Sequence, residues 1–545
     1  MKKSAMVRGY WVLCALVIAS CGSSSSSDDI PLEEPDTLTA PETPSSLAAA
    51  SRLDKLILTW EAASDATSDT TYNLYWGTAT GVTVDTGTKL EGITSPYSHT
   101  ALTSGSPYYY VITAVDGEGV ESDPSTEATG TPNIALDPTF GTDGITTALS
   151  AGTILGEAES LNIRGLAVNS TGRFYVGGDL ENAEGRVGIY ALRYAADGTL
   201  DTTFSADGIS ASSDITNINT KHYILDDNEK FLGIGYTDGM GPTSYHVVRF
   251  DTDGALDATF GDGGAVDSTA DDYTGDGYDL AVNTDGTLIL VGNMRDNDPY
   301  EASIVRYLAD GSAVDTTFGM SEGGTEYSPD EKYAEWRSVA LDSEGNIFVA
   351  GVEATDEEDA ELSGIDLIVA KYSSEGILDT TFGTDGIFTY DSGVGDVPHK
   401  VILDAEGRLL IVGYLNDADD ESDEIESTEY MFVVRLTATG SLDTTFGGGD
   451  GIFTVSDPSE GEDIALDTSG RIFITGEMQL PSAANDQMAL WRLTSDGALD
   501  TTFDADGSLV FATDDTTGIG MAIDSDGQIV ISGYNGSDIV LWRYR

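Results

Sequence analysis

Apolar and polar residues alternate along most of this chain in short runs, and Gly, Asp and Asn break the runs. A period of two marks half-buried strands, and such breaks mark tight turns. Lys55–Ala62 (KLILTWEA), Thr71–Thr78 (TYNLYWGT) and Tyr108–Val115 (YYYVITAV) carry the pattern early in the chain. Later the runs come in pairs. Leu166–Gly178 (LAVNSTGRFYVGG), Val401–Tyr414 (VILDAEGRLLIVGY) and Ile464–Glu477 (IALDTSGRIFITGE) each place two apolar runs around a turn rich in Asp, Asn and Gly. Residues that accept positive φ cheaply at that point predict hairpins. No helical segment is expected among them, so the expected class is all-β.

The hairpins recur in phase with a second signature. The runs LDPTF, LDTTF, LDATF, VDTTF, LDTTF, LDTTF and LDTTF begin at Leu136, Leu200, Leu256, Val314, Leu378, Leu442 and Leu499, at spacings of 64, 56, 58, 64, 64 and 57 residues. A strand such as Met431–Leu436 (MFVVRL) precedes the later copies, and its last version, IVLWRYR, ends the sequence. Each unit reads as four strands: one after the glycine of the motif (Ile387–Tyr390, for example), the two of the hairpin, and the basic strand. The end strand has to meet the start of the array, or a sheet edge stays open.

The seven copies form an internal alignment with three shared columns. One is the acid Asp137, Asp201, Asp257, Asp315, Asp379, Asp443 and Asp500. The second is Phe140, Phe204, Phe260, Phe318, Phe382, Phe446 and Phe503. The third is basic: Arg193, Arg249, Arg306, Lys371, Arg435, Arg492 and Arg543. A catalytic group is rarely needed seven times around one axis, so these columns read as scaffold. Each Phe would fill the wedge between neighbouring units, and each Asp or Thr would cap a turn through backbone N–H groups. The basic residue would pair with a motif Asp or line a central channel; a seven-fold anion-binding ring is the sharper alternative.

Four strands per unit at this period fit a propeller better than a solenoid. The LDxTFG and GRxxVxG runs resemble the bacterial delta-sixty β-propeller repeat family over residues 136–545, within a propeller domain read as 134–545. That resemblance implies a seven-bladed fold and no activity. Residues 41–132 resemble a fibronectin type III sandwich through Trp60 on the second strand, the Tyr108–Ala114 alternation, and Leu102 six residues before Tyr108, as in a tyrosine corner. The expected role of that module is a spacer or docking unit.

Charge and the N-terminus add a location. The chain has 94 acidic and 25 basic side chains in 545 residues, which excludes nucleic acid as a natural partner. Self-repulsion on this scale suits salty water or bound cations. Residues 1–20 have a basic start and an apolar run, as in a secretory signal peptide. The ending Ile18-Ala19-Ser20-Cys21 resembles the bacterial lipobox, implying cleavage between Ser20 and Cys21 and a lipid on Cys21. Residues 21–40 then read as a Ser-, Pro- and acid-rich tether. Gly22 stands where an inner-membrane retention Asp would be, so the expectation is an outer-membrane lipoprotein, periplasmic or surface-exposed.

Function is expected in the unshared loops. Glu353–Asp366 and Asn416–Tyr430 are long and acidic, and should emerge on one face. Asp417, Asp419, Asp420 and Asp423 are the candidates for a weak calcium site, against the plainer reading of a solvated acidic rim; no other cofactor is expected. Asp271–Asp279 (DDYTGDGYD) approaches an EF-hand loop but lacks the terminal Glu. Tyr300, Tyr327, Tyr333, Trp336 and Tyr430 are candidate exposed aromatics for stacking on sugars, against the plainer reading that most are ordinary strand-end or rim residues. The four histidines form no metal-ligand pair in sequence, and no nucleophile elbow, zincin motif or phosphate loop occurs. The expected protein is a non-enzymatic, membrane-anchored binding scaffold for an extracellular polysaccharide or envelope protein. The rivals are a calcium-dependent enzyme cleaving polysaccharide or lactone in the propeller mouth, and a structural envelope protein. A convergent carboxylate cluster in the channel would favour the enzyme.

Overall fold

The early strands build two facing sheets. One orders Ser45–Arg52, Lys55–Glu61 and Tyr97–His99; the other orders Thr88–Ile93, Thr71–Gly77, Tyr108–Val115 and Ala128–Gly130. Alternation sends Leu56, Leu58 and Trp60 from one sheet, and Leu74, Tyr110 and Ile112 from the other, into a single core. Leu102 is buried in it, and the Tyr108 hydroxyl accepts the Thr103 N–H at 3.0 Å. The computed structural model describes residues 39–545 apart from 53–54, 101, 104–105, 133, 157, 214, 216, 238–242, 269–273, 295–299, 320–322, 328–331, 355–363, 417–428, 480–485, 505 and 512–514. Ser20, Cys21, Asp417, Asp419, Asp420 and Asp423 lie outside the described residues.

From Ser160 the chain makes seven antiparallel sheets in succession. The first six have four strands, as in the fifth: Gly395–Leu403, Leu409–Asn416, Glu429–Leu436 and Ile452–Thr454. The first strand of each sheet touches the first strand of the next, and that of the seventh returns to the first. The seventh sheet has three strands, Thr516–Ile523, Ile529–Asn535 and Asp538–Tyr544. Its outer place is taken by the segment after the first motif, where Ile145 bridges Trp542 and Leu149 bridges Ile539. The two ends of the array thus share one sheet. A four-residue helix, Ala151–Ile154, follows and was not expected from the pattern.

The sequence unit and the sheet differ in phase by one strand. The strand after the motif pairs with the basic strand before it, not with the hairpin that follows: Ile452–Thr454 pairs with Glu429–Leu436. The motif is the reason. Asp443 Oδ1 accepts both the Thr445 N–H (3.0 Å) and the Thr445 hydroxyl (2.7 Å), a tight turn that reverses the chain onto the strand just made. The same pair of bonds forms at Asp137, Asp201, Asp257, Asp315, Asp379 and Asp500.

The basic column joins sheet to sheet. Arg193, Arg249, Arg435, Arg492 and Arg543 hold the motif Asp of their own sheet at 2.8–3.0 Å, as does Arg306. A second nitrogen of Arg193, Arg249, Arg306 and Arg543 bonds a carbonyl in the next sheet, that of Thr252, Ala309, Ser374 and Ala196 respectively. The guanidinium also lies over the motif ring, 4.2 Å from Phe260 and 4.5 Å from Phe446. The seven Phe are at most 1% exposed. A Cβ on Gly440 or Gly497, both at positive φ, would come within 2.8 Å of the Phe382 ring or 2.5 Å of the Phe446 ring, so each turn glycine serves as the lid on the preceding Phe. Lys371 is the exception: it holds Asp379 at 3.4 Å and lies over Phe348.

Candidate functional site

The basic column does not line the channel. Arg492, Arg435, Arg193 and Arg543 are 0%, 2%, 4% and 7% exposed, all committed to the contacts above. The channel is lined by the first strand of each sheet, and each of those strands carries a bulge at the same place. The register breaks around Arg164, Lys221, Tyr278, Arg337, His399, Glu462 and Ile519. A bulge leaves one residue unpaired and re-aims its side chain. All seven are half-buried, and all seven line one cavity of about 640 Å³. Around the ring they run Arg, Lys, Tyr, Arg, His, Glu and Ile, so basic, aromatic, acidic and apolar groups face the same cavity.

The residue after each bulge is mostly structural. Asp279 Oδ2 accepts the Val339 N–H at 2.9 Å, Ser338 Oγ accepts the Val401 N–H at 3.2 Å, and Asp463 Oδ2 accepts the Met521 N–H at 2.8 Å. Each bond reaches the first strand of the next sheet and fixes the channel wall. Asp279 is also held by His222 Nδ1 at 2.5 Å and Lys400 Nζ at 3.4 Å, and these neighbours overcome burial to keep its carboxyl well below the usual range.

The wall is polarised. On the first two sheets, Arg164, Arg186 and Lys221 share few acids. Asp179 already accepts from Asn162, Arg186 and Thr220, and stands 3.6 Å from Arg164 Nε. Among the described residues no carboxylate pairs with Lys221; its amine lies over Tyr236 (5.3 Å) and Tyr278 (5.9 Å). Burial, then the charges of Arg164 and Arg186, push the Lys221 amine down to about 8. On the fourth sheet Arg337 Nε meets buried Glu335 at 2.6 Å, and Glu335 takes the Tyr333 hydroxyl and the Asn293 amide as well.

The fifth and sixth sheets are acidic. His399 stands between two carboxylates, Nε2 3.4 Å from Glu460 and Nδ1 3.3 Å from Glu462. Burial opposes its charge, but Glu462 and Glu460 outweigh it and push the imidazole up to about 9. With its two nitrogens facing opposite acids, this ring reads as a charged clamp. Burial and the neighbouring carboxylates raise Glu460, and Glu477 is pushed up to about 7. Carboxylates therefore do gather in the channel, around His399.

Among the candidate aromatics, Trp336 (0% exposed) and Tyr333 (8%) are core residues and not free stacking platforms; Tyr300, Tyr327 and Tyr430 are half-buried. Neighbouring sheets cover both faces of the strand end that carries the two core residues, Tyr333 packing with Val397 of the fifth sheet and Trp336 with Ile289 of the third, which proximity to a variable loop does not reveal. The bulge column was missed in the sequence, although it stands two residues before LAV, YIL, LAV, VAL, VIL, IAL and MAI in the seven hairpins. A variable position two residues before a recurring apolar run was the available signal.

Five segments, residues 170–204, 230–260, 284–318, 406–446 and 468–503, match the model of a beta-propeller domain of unknown function, DUF5122, and each ends on a motif Phe. A search of curated proteins gave no match. Among solved structures, an Fn3-like protein from Clostridium thermocellum is 36% identical over 17% of this chain and 92% of its own, with a TM-score of 0.14. The polysaccharide lyase Uly1 is 10% identical over 72% of this chain and 90% of its own, with a TM-score of 0.40. The α-L-arabinofuranosidase Arb93A from Fusarium graminearum is 9% identical over 60% of this chain and 93% of its own, with a TM-score of 0.37. The chain is thus an all-β protein of many four-stranded sheets with a β-propeller family match, and carbohydrate-active enzymes are among the structures it is similar to.

Proposed function

We propose that this protein is an exported, lipid-anchored binding protein whose propeller holds an anionic saccharide in its channel. The seven sheets are the blades, residues 41–132 are a fibronectin type III-like spacer, and Cys21 carries the anchor at the outer membrane. One observation carries the binding reading: in a chain with 94 acids and 25 bases, the bulge ring turns Arg164, Lys221 and Arg337 into one cavity. Lys221, which pairs with no carboxylate among the described residues, and Arg164, 3.6 Å from an Asp179 already shared with Arg186, support a ligand that brings its own negative charge. A carboxylated or sulfated sugar also suits the Tyr236 and Tyr278 rings around Lys221 and the hydrogen-bonding groups of Asn162, Glu462 and His399. A cavity of about 640 Å³ falls within the range of small-ligand sites.

Calorimetric titration with uronate, sulfated and neutral oligosaccharides tests it. Binding of the charged sugars, weakened by salt, is the expected result; equal binding of neutral sugars, or none of any, overturns it. The gathering of carboxylates around His399, opposite an amine brought down to about 8, favours a second reading as an enzyme with acid–base groups in the same cavity. Release of new reducing ends from an acidic polysaccharide would establish that reading. The anchor is tested separately: Cys21→Ser should abolish uptake of labelled fatty acid.

A further inference from the structure

At one place between the fourth and fifth sheets, three carboxylates converge. Asp366 lies in the third strand of the fourth sheet, Ile365–Tyr372; Asp391 follows its outer strand, Ile387–Tyr390; Asp396 begins the first strand of the fifth, Gly395–Leu403. Each offers an oxygen, and the three oxygens lie within 4.8 Å of one another. Asp391 is exposed and Asp366 half-buried, but Asp396 is 0% exposed. The Ser392 N–H satisfies Asp396 Oδ2 at 2.9 Å, while Oδ1, also buried, has no hydrogen-bond partner. A buried carboxylate oxygen without a donor, beside two further carboxylates, is strongly unfavourable unless a cation or a proton completes it.

The sixth and seventh sheets show how this position can serve structure alone. Asp396 stands three residues before the bulge at His399; Ser459 and Thr516 stand three before Glu462 and Ile519. There a neutral hydroxyl accepts an amide of the preceding sheet, from Met431 at 3.3 Å and from Met488 at 3.1 Å. The fifth sheet replaces that hydroxyl with a charge and surrounds it with charges of the same sign.

We infer that Asp366, Asp391 and Asp396 form a calcium site that ties the fourth sheet to the fifth. The ligands are hard oxygens only, and they come from a strand, a connecting loop and a neighbouring strand, a spread that suits the larger and more adaptable of the two common hard cations. Three carboxylates can supply up to about six of the six to eight oxygens calcium takes. Its ligands are none of the acidic-loop candidates Asp417, Asp419, Asp420 and Asp423, which lie outside the described residues. It lies at the root of the Glu353–Asp366 connection, at the end of the ring where the second-to-third-strand loops emerge.

Calcium titration of the mature chain, by calorimetry and by melting at matched ionic strength, tests the inference. The probe is the calcium ion alone, against sodium and magnesium. Calcium should raise the melting temperature beyond the ionic-strength effect. Asp391→Asn, which changes an exposed side chain, should weaken this site's affinity by about tenfold or more through loss of one ligand charge. Asp396→Ser should remove one equivalent of bound calcium and, in chelator, melt at or above the wild type, because it restores the hydroxyl the sixth and seventh sheets use. Wild-type stoichiometry and affinity in both variants would overturn the assignment, as would equal melting of the wild type in calcium and sodium.

Discussion

The repeated rim and the unrepeated channel are made by the same seven sheets under opposite rules. At the rim, Asp, Thr, Phe and a basic residue recur because every sheet must be turned and latched to the next in the same way. In the channel, the side chain turned out at the same bulge varies from sheet to sheet, with only arginine used twice. Two columns about thirty residues apart in each unit (Arg164 and Arg193, for example) thus separate what holds the ring together from what it presents. The contrast extends to charge pairing. Each rim cation holds its own carboxylate, whereas Lys221 in the channel has none among the described residues.

The most severe way to break the rim is to open the ring. Truncation after Tyr534 removes the strand Asp538–Tyr544 and with it the bridges to Ile145 and Leu149 and the Arg543–Asp137 pair. The whole ring should lose its cooperative melting in calorimetry, not one sheet. A smaller break is Arg435→Ala, which strands the buried Asp443 carboxylate and the Ser495 carbonyl. Loss of one partner of a buried pair costs about 3–5 kcal/mol, and denaturant melts should show a fall in that range. The rim can also be improved. Lys371→Arg gives the fourth sheet the fork and the ring stacking that its neighbours have, and should add about 1 kcal/mol.

In the channel the expected effects are on binding. Lys221→Ala relieves repulsion with Arg164 and Arg186, so melting at pH 7 should be unchanged or slightly raised. Affinity for an acidic sugar should fall as pH rises through about 8, because the amine brought down to that value loses its charge there. Lys221→Arg, which stays charged, should flatten that fall in a titration series across pH 7–9.

Much of the rim was legible. The DxTF column, the hairpin turns and the all-β class follow from spacing and alternation, because local turn chemistry fixes them. The phase was not legible. Whether the strand after Asp443 returns to Arg435 or goes on to the next hairpin depends on a turn held by Thr445, and both pairings satisfy the same alternation. The channel was legible only as variation. A bulge at Arg164 or His399 leaves no mark in a period-two pattern, and charges such as Asp279 and Glu335 read as solvated until the ring brings their partners together. Tyr333 and Trp336 are buried for a related reason: a sheet lies against each face of their strand end, so no register could leave either one exposed.

The central claim is that the bulge ring binds and the motif columns hold. One paired experiment tests it: calorimetric titration of the best-bound acidic oligosaccharide into Lys221→Ala and Arg435→Ala, with a melt of each. The account predicts that Lys221→Ala melts like the wild type but binds at least about tenfold more weakly, the loss of one charge-assisted contact. It predicts that Arg435→Ala melts early yet binds like the wild type below its transition. Wild-type affinity in Lys221→Ala, or lost affinity in folded Arg435→Ala, would contradict it.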